Sequence, residues 1–266
     1  MPIIKDSAPV KYPSKNSPLV KYMDLTKFIS LLNRKSLFFC RLDKLEDKFE
    51  GITASRNYDY RIATHKALRK QMSNMPNYAK VERTDPNNME SIVQSVNEEY
   101  EFENKFKSLS CINCWNYFTQ ESAALWKIYS DFGKGLMIKT HLEKIELSLT
   151  NSTEEMRVSE ITYIDYKKEI MPDFNSFYPL IHKDISYSYE EEVRLVHVVP
   201  IPESGWEYDW RKAEVQEGLY IKTDLNILIE EVIVAPHAPK WYFELIEDLC
   251  LKYNLDKPIK KSRLSL

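Results

Sequence analysis

The densest chemistry in the chain lies at residues 187–199, Tyr187-Ser188-Tyr189-Glu190-Glu191-Glu192-Val193-Arg194-Leu195-Val196-His197-Val198-Val199. Its second half is rich in β-branched residues and runs into Pro200, Pro202 and Gly205, so one strand with a firm stop is expected. Alternation along that strand would turn Tyr187, Tyr189, Glu191, Val193 and Leu195 to one face and Glu190, Glu192 and Arg194 to the other. The polar row then holds two carboxylates roughly 6.6 Å apart with a guanidinium next in line, a geometry suited to gripping a polar ligand. The solvated face of an antiparallel strand would present the same row, so the spacing nominates a site without naming a substrate.

The rest of the chain has enough apolar material to bury such a site: 43% of its 266 residues are hydrophobic. Only 5 glycines are present, which argues against Gly-rich phosphate loops and dinucleotide fingerprints. With 37 basic and 40 acidic residues the formal charge is −3, so no long-range field favours nucleic acid. No apolar run is long enough to cross a bilayer and the first residues, MPIIKDSAPVKYPSK, lack the apolar core of a signal peptide; a cytoplasmic protein without a membrane partner is expected. The 4 cysteines do not suggest a disulfide framework.

The elements expected to position the site follow from local pattern. Residues 1–18 read as an irregular lead-in, and 19–266 as one α+β domain with a mixed, largely antiparallel sheet, flanking helices and a helical insertion at about 55–106. A strand at 20–23 precedes a helix capped by Asp24, and Ser36 to Arg41 is the next strand. Two polar helices are expected at 55–74 and 88–106, then a strand at 106–111 carrying Ser108 and Ser110 on one face. Thr119 is placed to cap a helix containing Trp126 and Tyr129, and Gly133 and Gly135 flank the turn into a strand at 136–139. Further strands are expected at 156–164, 218–222 and 230–235, with a helix at 239–253 and an edge strand at 258–264.

Several separated pieces resemble one bacterial family, domain of unknown function 2971. They are Val20-Lys21-Tyr22, Leu37-Phe38-Phe39 leading to Asp47-Lys48-Phe49-Glu50, Leu125-Trp126-Lys127-Ile128-Tyr129 followed by Gly135, and Lys183 with Tyr187-x-Tyr189-Glu190-x-Glu192-x-Arg194. The family commonly has Asp-Pro where Asp47-Lys48 stands, and a tryptophan in place of Tyr187. It in turn resembles ADP-ribosyltransferase-like proteins, which place an Arg or His on an early strand, a Ser or Tyr on a middle strand and Glu-x-Glu on a late one. Glu190-x-Glu192 suits the last element, Ser108-x-Ser110 the middle one, and Lys21-Tyr22 the first by order, with Arg41 as its substitute.

The resemblance implies NAD as cofactor, a protein or nucleic-acid acceptor, and a role in a toxin or phage-defence setting. Glu192 would stabilise the charge that develops on the ribose and Glu190 would orient the acceptor. Lys21, Tyr22, Arg41, Ser108, Ser110, Trp126, Tyr129, Lys183 and Arg194 would hold the cofactor. A rival from another class is a non-catalytic module that binds a nucleotide-like small molecule or a partner with the same polar row. A third is a metal-dependent nuclease built from Asp47, Glu50, Glu190, Glu192 and Lys183, although Lys183 precedes both glutamates, against the usual order. Cys111-x-x-Cys114 has the spacing of half a zinc site or of a dithiol redox pair, and no second such pair exists, so no metal is expected. Trp206, Tyr208, Trp210, Arg211 and Lys212 interleave aromatics with basic residues, and 257–263 is a basic tail; sheet packing and a solvated terminus account for these.

Overall fold

The computed structural model describes residues 3–5, 9–47, 49–73, 85–130, 133–200, 203–204, 207–208 and 216–265. In chain order its elements are β1 (Ile3–Ile4), β2 (Pro18–Asp24), α1 (Leu25–Arg34), β3 (Ser36–Arg41), α2 (Asn57–Ser73), α3 (Met89–Leu109), β4 (Ser110–Tyr117), α4 (Ala123–Tyr129), β5 (Gly135–His141) and α5 (Leu142–Ser148). They continue with β6 (Met156–Glu160), β7 (Thr162–Ile164), β8 (His182–Asp184), β9 (Glu192–Val198), β10 (Glu203–Ser204), β11 (Glu207–Tyr208), β12 (Gly218–Lys222), α6 (Leu225–Leu228), β13 (Glu231–Val234), α7 (Lys240–Lys252) and β14 (Ile259–Lys261). The class is α+β, with a mixed and mostly antiparallel sheet. Among the described residues no helix is long and apolar enough to cross a membrane.

One 10-stranded sheet organises the chain. Its path runs β1-β6-β9-β4-β2-β5-β13-β14, and β3 leaves that path by pairing with both β4 and β12. The sheet therefore forks at β4. Cys40 and Arg41 of β3 pair with Ile112 and Cys111 at the start of β4, whereas Leu19 and Val20 of β2 pair with Tyr117 and Asn116 at its end. Between those pairings the carbonyl of Cys114 faces no strand on that side.

The two faces of the sheet are packed differently. One face carries the main core, where Leu19, Met23, Phe39, Trp115, Val193 and Leu195 meet α1 through Phe28, Leu31 and Leu32, and α7 through Tyr242, Ile246 and Cys250. Asp24 caps α1 as its position suggests, accepting from the Lys27 amide at 2.8 Å. The other face holds two smaller apolar groups, one around Val20, Tyr22, Leu125 and Trp126 and one around Leu42, Ile112, Leu180 and Val196. Alternation on β9 places Glu192 and Arg194 on this face, in line with Val196, so a charged island separates the two groups.

Several expectations are corrected. The lead-in is tied to the sheet: Ile3 and Ile4 pair with β6, and Lys11 exchanges bonds with Ser159 and Glu160. Helix α3 runs to Leu109, so Ser108 is helical and only Ser110 is on the strand. Ser122, rather than Thr119, caps α4. The expected strand at 156–164 breaks at Ile161, whose amide bonds back to Glu192 while β7 turns away to pair with β8. The expected edge strand at 258–264 is present as β14, parallel to β13, with Ser262 and the Arg263 amide bonded to Glu121, while Lys260, Lys261 and Arg263 stay exposed. Trp206, Trp210, Arg211 and Lys212 lie outside the described residues, and Tyr208 belongs to β11.

The largest correction concerns 187–199. Asp184 accepts from the amide and hydroxyl of Ser186, and residues Ile185–Glu190 wind into a 3-10 turn instead of extending. Glu191 ends the turn with φ 43° and only then does β9 begin.

The helical pair is anchored by a buried cation. Arg61 of α2 bonds Asp173 at 2.8 Å through both Nε and Nη2, pairs with Glu103 of α3, and touches Thr53. Asn57 exchanges two bonds with the backbone of Met171. Helices α2 and α3 are thus fixed to the loop that follows Glu50 and to the segment leading to Lys183. Replacing Arg61 by Leu strands Glu103 and Asp173 without a cation and is expected to cost about 3–5 kcal/mol in urea unfolding. A loss under 1 kcal/mol would contradict the anchoring role.

Candidate functional site

The charged island is built from three parts of the chain. Glu192 and Arg194 come from β9, where their neighbours across β4 are Asn116 and Cys114. Glu190 ends the 3-10 turn, and its carbonyl is held at 2.7 Å by the Asn116 amide. Lys183 projects from β8, and Glu50 ends the loop after β3, just before Gly51 at φ 72°. A side chain at Gly51 would stand 2.5 Å from Leu42, so the turn that presents Glu50 needs glycine twice over, for its dihedral and for space.

The contacts form a closed network. Arg194 grips Glu192 side-on, with Nε 2.6 Å from Oε1 and Nη2 3.0 Å from Oε2. The same Nη2 donates to Glu50 at 2.9 Å, and Nη1 donates to the Leu180 carbonyl at 3.1 Å. Lys183 Nζ lies 2.6 Å from Glu190, 2.7 Å from Glu50 and 3.5 Å from Glu192, with its charge 4.5 Å from the centre of the Tyr187 ring. All five charged side chains are buried, Arg194 completely.

The pKa values of the two glutamates of Glu190-x-Glu192 move in opposite directions. Burial alone would raise the pKa of Glu192, but the charge and hydrogen bonds of Arg194, with Lys183 and the Cys114 thiol, hold it at about 2. Glu190 moves the other way: burial raises its pKa, Glu192 and Glu50 add to the rise, and Lys183 only partly opposes it. One carboxylate is therefore a fixed anion, and its neighbour takes up a proton more readily than an ordinary glutamate.

This network forms the floor of a cavity of about 1580 Å³. The walls carry Lys21, Tyr22, Trp126 and Tyr129 on one side and Leu45, Asp47, Tyr187 and Tyr189 on the other, and Lys27, Lys44 and Lys127 are exposed at its edge. Trp126 meets Tyr22 edge-on at 4.9 Å, and its indole N–H is fixed by Glu121 at 3.0 Å. Glu121 also holds the C-terminal segment, whose Leu264 reaches the cavity. Lys21 spans the fork in the sheet, donating to the orphan carbonyl of Cys114 at 2.6 Å.

Of the residues nominated from sequence, Lys21, Tyr22, Trp126, Tyr129, Lys183, Glu190, Glu192 and Arg194 line this one cavity. Arg41, Ser108 and Ser110 do not. Arg41 forms a fork with Asp43 at 2.6 and 2.9 Å, Ser108 bonds back to Lys105, and Ser110 is fully buried with its hydroxyl on Phe106. Tyr187 and Tyr189, assigned to the apolar face, line the cavity because the 3-10 turn redirects them. Cys114 and Asn116 were not nominated for a polar ligand, and Glu50 was named only in the family resemblance and the nuclease reading; the polar pair Cys114-x-Asn116 within an apolar strand was the available signal for the first two.

Cys111 belongs to the main core while Cys114 faces the cavity, since three residues along a strand reverse the face, so the Cys-x-x-Cys spacing does not bring its thiols together. Among the described residues no group of three or more His, Cys, Asp or Glu is arranged to hold a metal ion. No model of a known protein family matches the chain, and no curated protein matches it.

The asymmetry between the two glutamates has a stability consequence. Replacing Glu192 by Gln leaves Arg194 short of a buried counter-charge and is expected to cost about 3–5 kcal/mol at pH 7, whereas Glu190→Gln should cost clearly less. Because the folded-state pKa of Glu192 is depressed, its contribution is full above the ordinary 4.5 and lost as pH falls towards about 2. The raised group works in the opposite sense, favouring the fold when protonated. Acid unfolding of Glu192→Gln should accordingly show a weaker pH dependence between 4.5 and 2 than wild type; identical slopes would contradict the assignment.

Proposed function

We propose that the cavity binds a nucleotide and that the protein cleaves the nicotinamide–ribose bond of NAD, transferring ADP-ribose to an acceptor. The observation that carries this reading is the convergence of Glu190, Glu192, Lys183 and Arg194 with Lys21, Tyr22, Trp126 and Tyr129 on one cavity. The resemblance to ADP-ribosyltransferase-like proteins supplies the reaction class. Cleavage of that bond develops positive charge on the ribose, and Glu192 is an anion at any working pH. Glu190, more easily protonated, is suited to taking a proton from the attacking acceptor. Tyr129, Tyr187 and Tyr189 offer ring surface to a base, and the lysines at the edge offer charge to the diphosphate. NAD belongs to this proposal as a consumed substrate, and the acceptor class is a protein or nucleic acid.

A second reading has its own support. Each of the three acids is already neutralised by Lys183 or Arg194, which suits a non-catalytic module that recognises a nucleotide or partner without turning it over. NAD titration by calorimetry, followed by nicotinamide release, separates the two. The enzyme reading predicts binding and release in wild type, with release reduced about 10²-fold or more in Glu190→Gln while binding persists. Binding without release supports the module. Neither binding nor release would overturn the NAD reading.

A further inference from the structure

Lys21 is a half-buried cation of the cavity wall that the charged network does not use. Lys183 is held by three carboxylates and Arg194 by two, whereas among the described residues no carboxylate lies within ion-pair distance of Lys21. Its position follows from the fork. Strand alternation assigns Lys21 to the face of Trp115, and the amine lies 5.7 Å from the centre of that ring. Where β2 and β4 part after Val20 and Asn116, the side chain crosses the gap and donates one hydrogen to the Cys114 carbonyl. This contact fixes the nitrogen at the wall of the cavity that Lys21 lines.

We propose that Lys21 is a nucleophilic amine that captures the carbonyl group of a small aldehyde or ketone, including the open-chain form of a reducing sugar, as an imine. The environment shifts Lys21 towards the neutral amine that such chemistry needs. Burial lowers the pKa of Lys21 and Lys27 on α1 adds to the fall, while Cys114 on β4, Glu192 on β9 and Cys40 on β3 act against it without reversing it. The nitrogen lone pair attacks the carbonyl carbon, the carbonyl oxygen takes the proton released from nitrogen, and loss of that hydroxyl as water gives the imine. Glu190, which burial moves towards its protonated form, is a proton source within the same cavity for the departing water. Lys183 is unsuited to the role because its carboxylates keep it charged.

The chemistry stands without the NAD reading and is tested without it. Wild-type protein is treated with formaldehyde and cyanoborohydride from pH 6 to pH 10, and methylation of each lysine is read by peptide mass spectrometry. Lys66 and Lys240, both exposed, serve as internal references. At pH 7, Lys21 should keep a larger fraction of its pH 10 rate than either reference, since a lowered pKa leaves more free amine at neutral pH. A Lys21 profile that superimposes on the references, or no methylation of Lys21 at any pH, would overturn the proposal. Ribose 5-phosphate with the same reductant should then place its adduct on Lys21 ahead of the references, and Lys21→Met should lose that adduct while Lys66 and Lys240 react as before. Adducts spread evenly over the surface lysines would refute capture of sugar carbonyls.

Discussion

Arg194 is the residue on which the rest of the site depends. Its guanidinium is fully buried on the central strand β9, gripping Glu192 side-on, bridging to Glu50 and capping the Leu180 carbonyl. Such a group is costly to desolvate, and well-packed apolar residues of similar volume would serve stability as well or better. A cluster of three acids and two bases at the floor of a large cavity therefore calls for a use other than stability, and gripping a polar ligand is the use its geometry fits.

The fold delivers these charges through two devices. The sheet forks at β4, opening space between the β2 branch and the β3 branch, and the cavity lies at the mouth of that fork. The helical pair α2 and α3 then fixes the far wall, since Arg61 and Asn57 tie the loop after Glu50 to the segment before Lys183. The two polar helices are thus structural supports for two site residues distant in sequence.

Much of this was legible from residue pattern. Strand Ser36–Arg41, strand Gly218–Lys222 and the Asp24 cap follow directly from local chemistry, as do both polar helices to within a few residues. The pairing of Glu190, Glu192 and Arg194 on one surface was also foreseen, though the reason was only half right. A continuous strand would align them by alternation, whereas the chain aligns them by winding 185–190 into a turn and resetting at Glu191 in the left-handed region. Tyrosine-rich sequence next to β-branched residues read as strand, and the Asp184 cap that starts the turn competed successfully for the backbone. Glu50 was named in the family resemblance and the nuclease reading, but its pairing with Arg194, 144 residues away, is encoded by no local pattern. Ser108 and Ser110 failed for the opposite reason: their spacing suited a strand, but α3 continues through the first of them.

The most direct test of a ligand site on this floor is hydrogen exchange of the backbone amides with and without saturating NAD. If the buried cluster receives the nucleotide, amides of 185–192 and 44–50 should slow together, because those turns carry Glu190 and Glu50. Unchanged exchange in both turns, with NAD bound or protection confined to another part of the chain, would contradict the account.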